Sequence, residues 1–299
     1  MKSKQCSAIE TLLRRSKSLR THGNLQQELN KKRKQNAQEY KLPTVVQMIV
    51  RPEKIIVEKT VCYKLGMGET CVLYLHGGSY VDPPLVFHWR FLQQLSRETD
   101  VTVYLPLYGR APQHHCYSTV THMKQVYMHL VNLYGAQNIV VMGDSAGGGL
   151  ALALCEYLAV KGCPQPRQMI LFSPWVDVDL TGDYSESQKT DFVLNIDELR
   201  FFGACYRHKL PVGHYMASPL FGLTDKLAQM HVFVGGAELF YPDCKKLQEY
   251  ALQKGVDFTL YDYPEMQHVF LLYPIPEAKT ARKQVEELLE QPIIALYDD

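Results

Sequence analysis

Ser145 stands at the centre of Gly143-Asp144-Ser145-Ala146-Gly147, between an apolar run at 139–142 and an Ala/Leu-rich stretch at 146–160. Strand, sharp turn and helix form the context in which G-x-S-x-G presents a serine hydroxyl above a sheet. The flanking glycines leave room where a side chain would collide, and the helix points unpaired amides at the reacting centre. Such a serine can take an acyl group. A glycine-rich turn can instead hold a phosphate, but no lysine follows here to make a P-loop.

Acyl transfer needs N–H donors aimed at the developing oxyanion. Ala146, next after the serine, offers one. A second set can come from His76-Gly77-Gly78-Ser79-Tyr80, which follows the apolar run 71–75. We expect Gly78 and Ser79 to donate and Gly77 to shape the turn, an oxyanion hole of Gly77, Gly78, Ser79 and Ala146. Taken alone, two glycines after a strand make an ordinary turn; paired with a nucleophile turn they say more.

The serine also needs an imidazole to take its proton. Of eleven histidines, His208, His214, His231 and His268 follow Ser145 at a distance. His231 opens a strand at its wrong end, and His208 and His214 fall in an irregular stretch. That leaves His268, in a loop after the last strand, whose bland alternative is a satisfied loop histidine. An acid must orient the imidazole. Glu238, just past the strand at 231–234, is favoured; Asp243, beside Pro242 at a helix start, is the alternative, though a cap explains it as well. His76, Asp144, Asp177 and Asp262 read as structural.

These residues need a scaffold to bring them together. Short β-branched runs alternate with helical stretches from about residue 45: strands at 45–50, 55–61, 71–75, 101–105, 139–142, 169–172, 231–234 and 258–261, with helices around 91–97, 118–134, 146–160, 244–254 and 277–289, the last ended by Pro292. That alternation implies a mostly parallel sheet with helices on both faces, whose ligands bind beyond the strands' carboxyl ends. Residues 179–222 break the pattern with Phe192, Phe201, Phe202 and Tyr206 and read as a helical cap insertion. The expected organisation is a basic arm over 1–45 and a catalytic domain over 46–299.

With 299 residues, 46% hydrophobic, the chain can bury a sizeable core. Its net charge of +1 argues against a nucleic-acid partner. Residues 1–45 carry eleven Lys/Arg against three Glu. There Ile9, Leu12, Leu13 and Leu19 approach helical spacing, with Arg14, Arg15 and Lys17 between them. A helix laid over the core is favoured over membrane-surface contact. No apolar leader is visible, which points to the cytoplasm and makes the eight cysteines buried thiols rather than bridges or a metal site.

HGGSY followed by GDSAGGG resembles the hormone-sensitive-lipase family of α/β-hydrolases, which carries HGGG and GDSAG. Tyr108-Gly109-Arg110-Ala111-Pro112-Gln113-His114 resembles its Y-R-L-A-P-E-H, and Ser173-Pro174-Trp175-Val176-Asp177 its S-P-W-x-D. Ser79 departs from the third glycine. The resemblance covers roughly residues 70–275 and implies the α/β-hydrolase fold. It also implies cofactor-free hydrolysis of small-molecule or lipid esters with short or medium acyl chains. His268 stands where the family has its catalytic histidine; the family usually has Asp at the acid position, and some members resemble this chain's G-x-x-E. The stretch 238–243 looks most like fungal members, some of which deacetylate sterols. An amidase or formamidase on the same scaffold is one alternative. A ligand-binding receptor on a dead hydrolase is another, but such receptors lose the histidine that this chain keeps.

Overall fold

The computed structural model describes residues 2–20 and 24–290. The side chains of Lys17 and Leu19, and Pro292, lie outside the described residues.

One sheet of eight strands carries the fold, in the order β1-β2-β4-β3-β5-β6-β7-β8. β1 (Glu53–Val57) and β2 (Thr60–Leu65) form an antiparallel edge hairpin, and β2 pairs antiparallel with β4 (Val101–Pro106). From β4 through β3 (Thr70–Leu75), β5 (Ile139–Asp144), β6 (Gln168–Phe172), β7 (Gln229–Gly235) and β8 (Phe258–Tyr263) all pairs are parallel. Parallel strands covered on both sides read as unbroken apolar runs. In β3, Cys71, Leu73 and Leu75 enter one core while Val72 and Tyr74 enter the other, as the two-residue period of a strand requires. α5 (Cys116–Tyr134), α6 (Ala146–Val160) and α9 (Tyr241–Gln253) pack on the first face; α4 (Val86–Glu98) and α10 (Glu277–Glu290) on the second.

The expected strand at 45–50 is instead the helix α3 (Thr44–Ile49). Its residues show helical rather than alternating burial, with Val46 buried and Val45, Met48 and Ile49 exposed. A short β-branched run fits either period, and here no strand is available to pair with it. The run at 55–61 is two strands. Glu58 and Lys59 both take positive φ, +46° and +65°, the signature of a type I′ hairpin turn.

The basic arm forms α1 (Lys4–Arg20) and α2 (Leu25–Asn36). Cys6 is buried and Ile9 and Leu13 pack beside it on the second core, while Leu12 stays exposed. The Ser3 hydroxyl donates to Glu277 at the start of α10 (2.9 Å). Arg14 lies over the Phe192 ring, 3.9 Å from its centroid. From α2, Lys32 pairs with Asp82 at 2.5 Å and Asn36 donates to the Val81 and Ala111 carbonyls. Residues 179–222 contain the short α7 (Ser187–Thr190) and α8 (Ile196–Arg207). Phe202 and Tyr206 are buried, and Tyr206 stacks on Tyr80 at 3.6 Å.

Candidate active site

Neighbouring strand ends deliver the chemistry. β3 ends beside β5, with Leu75 opposite Gly143, so the loop after β3 meets the turn after β5. β6 ends beside β5, β7 beside β6, and β8 beside β7. The loops carrying Gly78–Ser79, Ser145, Ser173, Glu238 and His268 therefore converge above one edge of the sheet.

Ser145 occupies a strained turn with φ +52° and ψ −123°. A Cβ on Gly147 would lie 2.0 Å from the Leu75 carbonyl oxygen, and one on Gly143 would lie 2.5 Å from the Gly147 oxygen. The turn closes only with glycine at both positions. Strain of this kind persists where surrounding bonds over-determine it: Ser145 N–H donates to Phe172 O (2.9 Å) and Trp175 N–H to Ser145 O (2.9 Å).

His268 Nε2 lies 2.9 Å from Ser145 Oγ. On the other side of the ring, Nδ1 faces Glu238 Oε1 at 3.5 Å. That spacing is long for a hydrogen bond, yet both atoms are buried and neither meets any other partner. Hydrogen bonds in catalytic sites are often long without substrate and tighten when it binds. Burial disfavours a charged His268, but the Glu238 carboxylate outweighs it and raises the imidazole above its ordinary 6.5. Glu238 itself is pushed up by burial, against the pull of His268 and Ser173.

Asp243 stands elsewhere. It is not a side-chain cap; α9 has no side-chain cap bond, and Asp243 lies buried in its first turn. Tyr184 OH donates to both its oxygens at 2.9 Å. Burial lifts its pKa to about 7.

The oxyanion loop divides its labour. Gly77 N–H donates to Asp144 Oδ1 (2.9 Å), so it is not aimed at a substrate, and a Cβ there would strike Asp144 Oδ2 at 2.3 Å. Gly77 thus sits where a residue that shapes the turn would sit, with its amide spent on Asp144. Among the described residues, the Gly78, Ser79 and Ala146 amides donate to no protein acceptor. Ser79 and Tyr80 take positive φ, +51° and +61°, and Tyr80 O accepts from Ala111 N–H (2.8 Å). His76 Nδ1 meets Gly77 O at 2.7 Å and its ring stacks on Tyr108. Burial drives its pKa down to about 3, so it stays neutral.

Several contributors escaped sequence reasoning. Ser173 OH donates to Glu238 Oε2 (2.6 Å) and accepts from Val269 N–H (3.0 Å), joining Glu238 to the loop that carries His268. His88 accepts Leu85 N–H on Nδ1 (2.8 Å), so its proton sits on Nε2, which faces Asp144 Oδ2 at 3.1 Å. Asp191 accepts from Leu239 N–H (2.7 Å), and Gln267 bonds Thr190 O, Ala237 O and Phe192 N–H. Only Ser173 carried a sequence signal, in the S-P-W-x-D likeness; the others depend on distant partners.

The alpha/beta hydrolase fold family matches residues 72–272, and the chain belongs to it, in its hormone-sensitive-lipase-like branch. Within that family it sits among carboxylic ester hydrolases. A triacylglycerol lipase of Mycobacterium tuberculosis is 30% identical over 202 residues, which make up 67% of this chain and 42% of the lipase. The match thus spans less than half of that relative's length. An acetyl-hydrolase of Streptomyces hygroscopicus is 30% identical over 215 residues, covering 70% of this chain and 72% of that protein. The crystal structure of an esterase from the bacterial hormone-sensitive lipase family superposes with a TM-score of 0.84 at 26% identity, covering 98% of this chain and 99% of that one. No helix among the described residues is long and apolar enough to cross a membrane.

Proposed function

We propose that the protein is a serine carboxylesterase acting on apolar esters through an acyl-enzyme. The observation that carries this reading is the 2.9 Å approach of His268 Nε2 to Ser145 Oγ, with Glu238 against the far ring nitrogen. His268 takes the Ser145 proton as Oγ attacks the ester carbonyl. The oxyanion rests on the amides of Gly78, Ser79 and Ala146. Glu238 holds the ring in the productive tautomer and stabilises the imidazolium. His268 then protonates the leaving alcohol, and water repeats the sequence on the acyl-enzyme. Asp144 acts beneath this machinery, fixing the Gly77 turn.

Ser145 and His268 are 7% and 3% exposed, so substrate enters under a cover. The arm and residues 179–222 supply that cover. Their cation–π contact between Arg14 and Phe192 supports this, as does the Asp191–Leu239 bond to the acid loop. The closed aromatic surroundings favour short to medium acyl chains and a bulky apolar alcohol, including acetylated sterol-like alcohols; the fungal likeness of 238–243 points the same way.

A panel of p-nitrophenyl esters from acetyl to dodecanoyl, a steryl acetate and a matched anilide tests the reading. Ester turnover at least tenfold above anilide turnover is expected. Faster anilide cleavage would make the protein an amidase, and no turnover of any member would overturn the catalytic reading.

A further inference from the structure

Away from Ser145, beside the strap that carries Gly109 and Arg110, lies a cavity of about 330 Å³. Arg110, Lys54, Lys59, His114 and His122 line it, with Glu39 as the acidic exception. Lys54 is spent on Glu39, at 2.7 Å. Among the described residues, Arg110 and Lys59 pair with no carboxylate. Arg110 Nη1 is buried and has no hydrogen-bond partner. A guanidinium cannot shed its charge and carries five donors in a fixed fork. Leaving one of those donors buried and unpaired is costly, and burial already lowers the Arg110 pKa. His114 is pushed down as well, by burial first and then by its neighbours His122 and Arg110. A bound anion would relieve all three conditions together.

We propose that this cavity binds a small phosphate monoester, with Arg110 as its principal anchor. A phosphate monoester brings a charge of about −1.5 to −2 at neutral pH and three acceptor oxygens. That matches the two unpaired cations, Arg110 and Lys59, with the imidazoles of His114 and His122 beside them. Arginine pairs with phosphate through parallel N–H donors. The cavity is at the lower end of ordinary small-molecule sites, and it is larger than a bare phosphate needs. Val61, Leu107 and Met123 add apolar wall beside Gln38, Tyr40 and Thr60, which suits a small organic group on the phosphate. The site adjoins the catalytic machinery through one strap of chain. Tyr108 OH donates to His76 O (2.5 Å), and Ala111 N–H donates to Tyr80 O (2.8 Å). Arg110 lies between these two anchors of the oxyanion loop.

Isothermal titration of the full chain with phenyl phosphate, inorganic phosphate and phenol, in buffer free of phosphate and sulfate, tests the proposal. The expected result is saturable one-to-one binding of phenyl phosphate, about tenfold or more tighter than inorganic phosphate, with no heat from phenol. Arg110→Gln should weaken it about tenfold or more, the scale of a lost charge-assisted pair. Lys59→Gln, on the exposed rim, should weaken it severalfold and covers the case in which Arg110→Gln fails to fold. Lys34→Gln, on the basic face of α2, should leave it unchanged. Three results would overturn the proposal: no saturable binding at about 10 mM, affinity for phenyl phosphate no better than for inorganic phosphate, or equal loss in Lys34→Gln and Lys59→Gln. Binding unchanged in a folded Arg110→Gln protein would overturn it as well.

Discussion

Replacing Ser173 by alanine removes a hydroxyl that touches both the Glu238 side chain and the loop of His268. In the native protein it donates to Glu238 Oε2 at 2.6 Å and accepts from Val269 N–H at 3.0 Å. Without it, Oε2 retains only the longer bond from Gly235 N–H at 3.3 Å, and Val269 N–H loses its acceptor. A hydrogen bond to a charged group contributes roughly 1.5–3 kcal/mol. About 1.36 kcal/mol in a barrier is tenfold in rate. If the whole of that bond acts in the transition state, by holding Glu238 against His268, kcat falls by roughly 10–150-fold. The loss stays well short of the factor of about 10⁴ for removing a triad acid, because the carboxylate remains. Ser173 also sits at φ +45°, so Ser173→Gly separates hydroxyl from backbone. Glycine relieves the left-handed strain and lacks the hydroxyl. Both variants should lose kcat on p-nitrophenyl butyrate alike, with KM little changed, while Ser173→Gly melts higher than Ser173→Ala. A folded Ser173→Ala enzyme with kcat within about threefold of the native value would refute this reasoning.

Three further expectations separate the ionisable groups. Glu238→Gln should cost on the order of 10⁴ in kcat in a normally folded protein, whereas Asp243→Asn should keep most of it; the reverse pattern in steady-state assays would move the acid to Asp243. Asp243 also carries a stability signature. Its folded pKa of about 7 exceeds its ordinary 3.8, so between those values the folded state holds a proton that the unfolded state has released. That stabilisation is present at low pH and is lost as pH rises through about 4 to 7, by about 4 kcal/mol in the limit. Thermal melts from pH 5 to 8 should show a decline that Asp243→Asn flattens. Because His268 acts as a base only when neutral, and Glu238 raises its pKa above 6.5, kcat/KM should fall with decreasing pH through a midpoint above 6.5. In Glu238→Gln the midpoint of the residual rate should move down, and an upward move would contradict the assigned partnership.

Much of this architecture is legible along the chain because it rests on local signals. α6 begins at Ala146 because Gly143, Ser145 and Gly147 specify the turn around it, and β3, β5 and β7 announce themselves as apolar runs, β5 and β7 ending in acid or glycine and β3 followed by His76-Gly77-Gly78. The segment at 45–50 is a helix where a strand was expected, because five β-branched or apolar residues around Gln47 satisfy either period and only burial chooses between them. Asp243 reads locally as a helix cap, but its partner, Tyr184, lies 59 residues away. Gly77 was expected to shape its turn, but the partner that holds its amide is non-local, the Asp144 carboxylate 67 residues on. Phe201 and Phe202 read alike as cap aromatics, yet Phe202 is buried in the core and Phe201 only half-buried beside it. Adjacent positions on a helix face different directions, and sequence alone does not say which way the core lies.

In the proposed mechanism Ser145 is the residue acylated in catalysis. Treating the protein with a fluorophosphonate, digesting it and mapping the adduct by mass spectrometry tests that claim most directly. A single stoichiometric adduct on Ser145 is expected, lost in Ser145→Ala together with a factor on the order of 10³–10⁶ in esterase turnover. An adduct on another residue with Ser145 unmodified, or turnover that survives in Ser145→Ala, would contradict it.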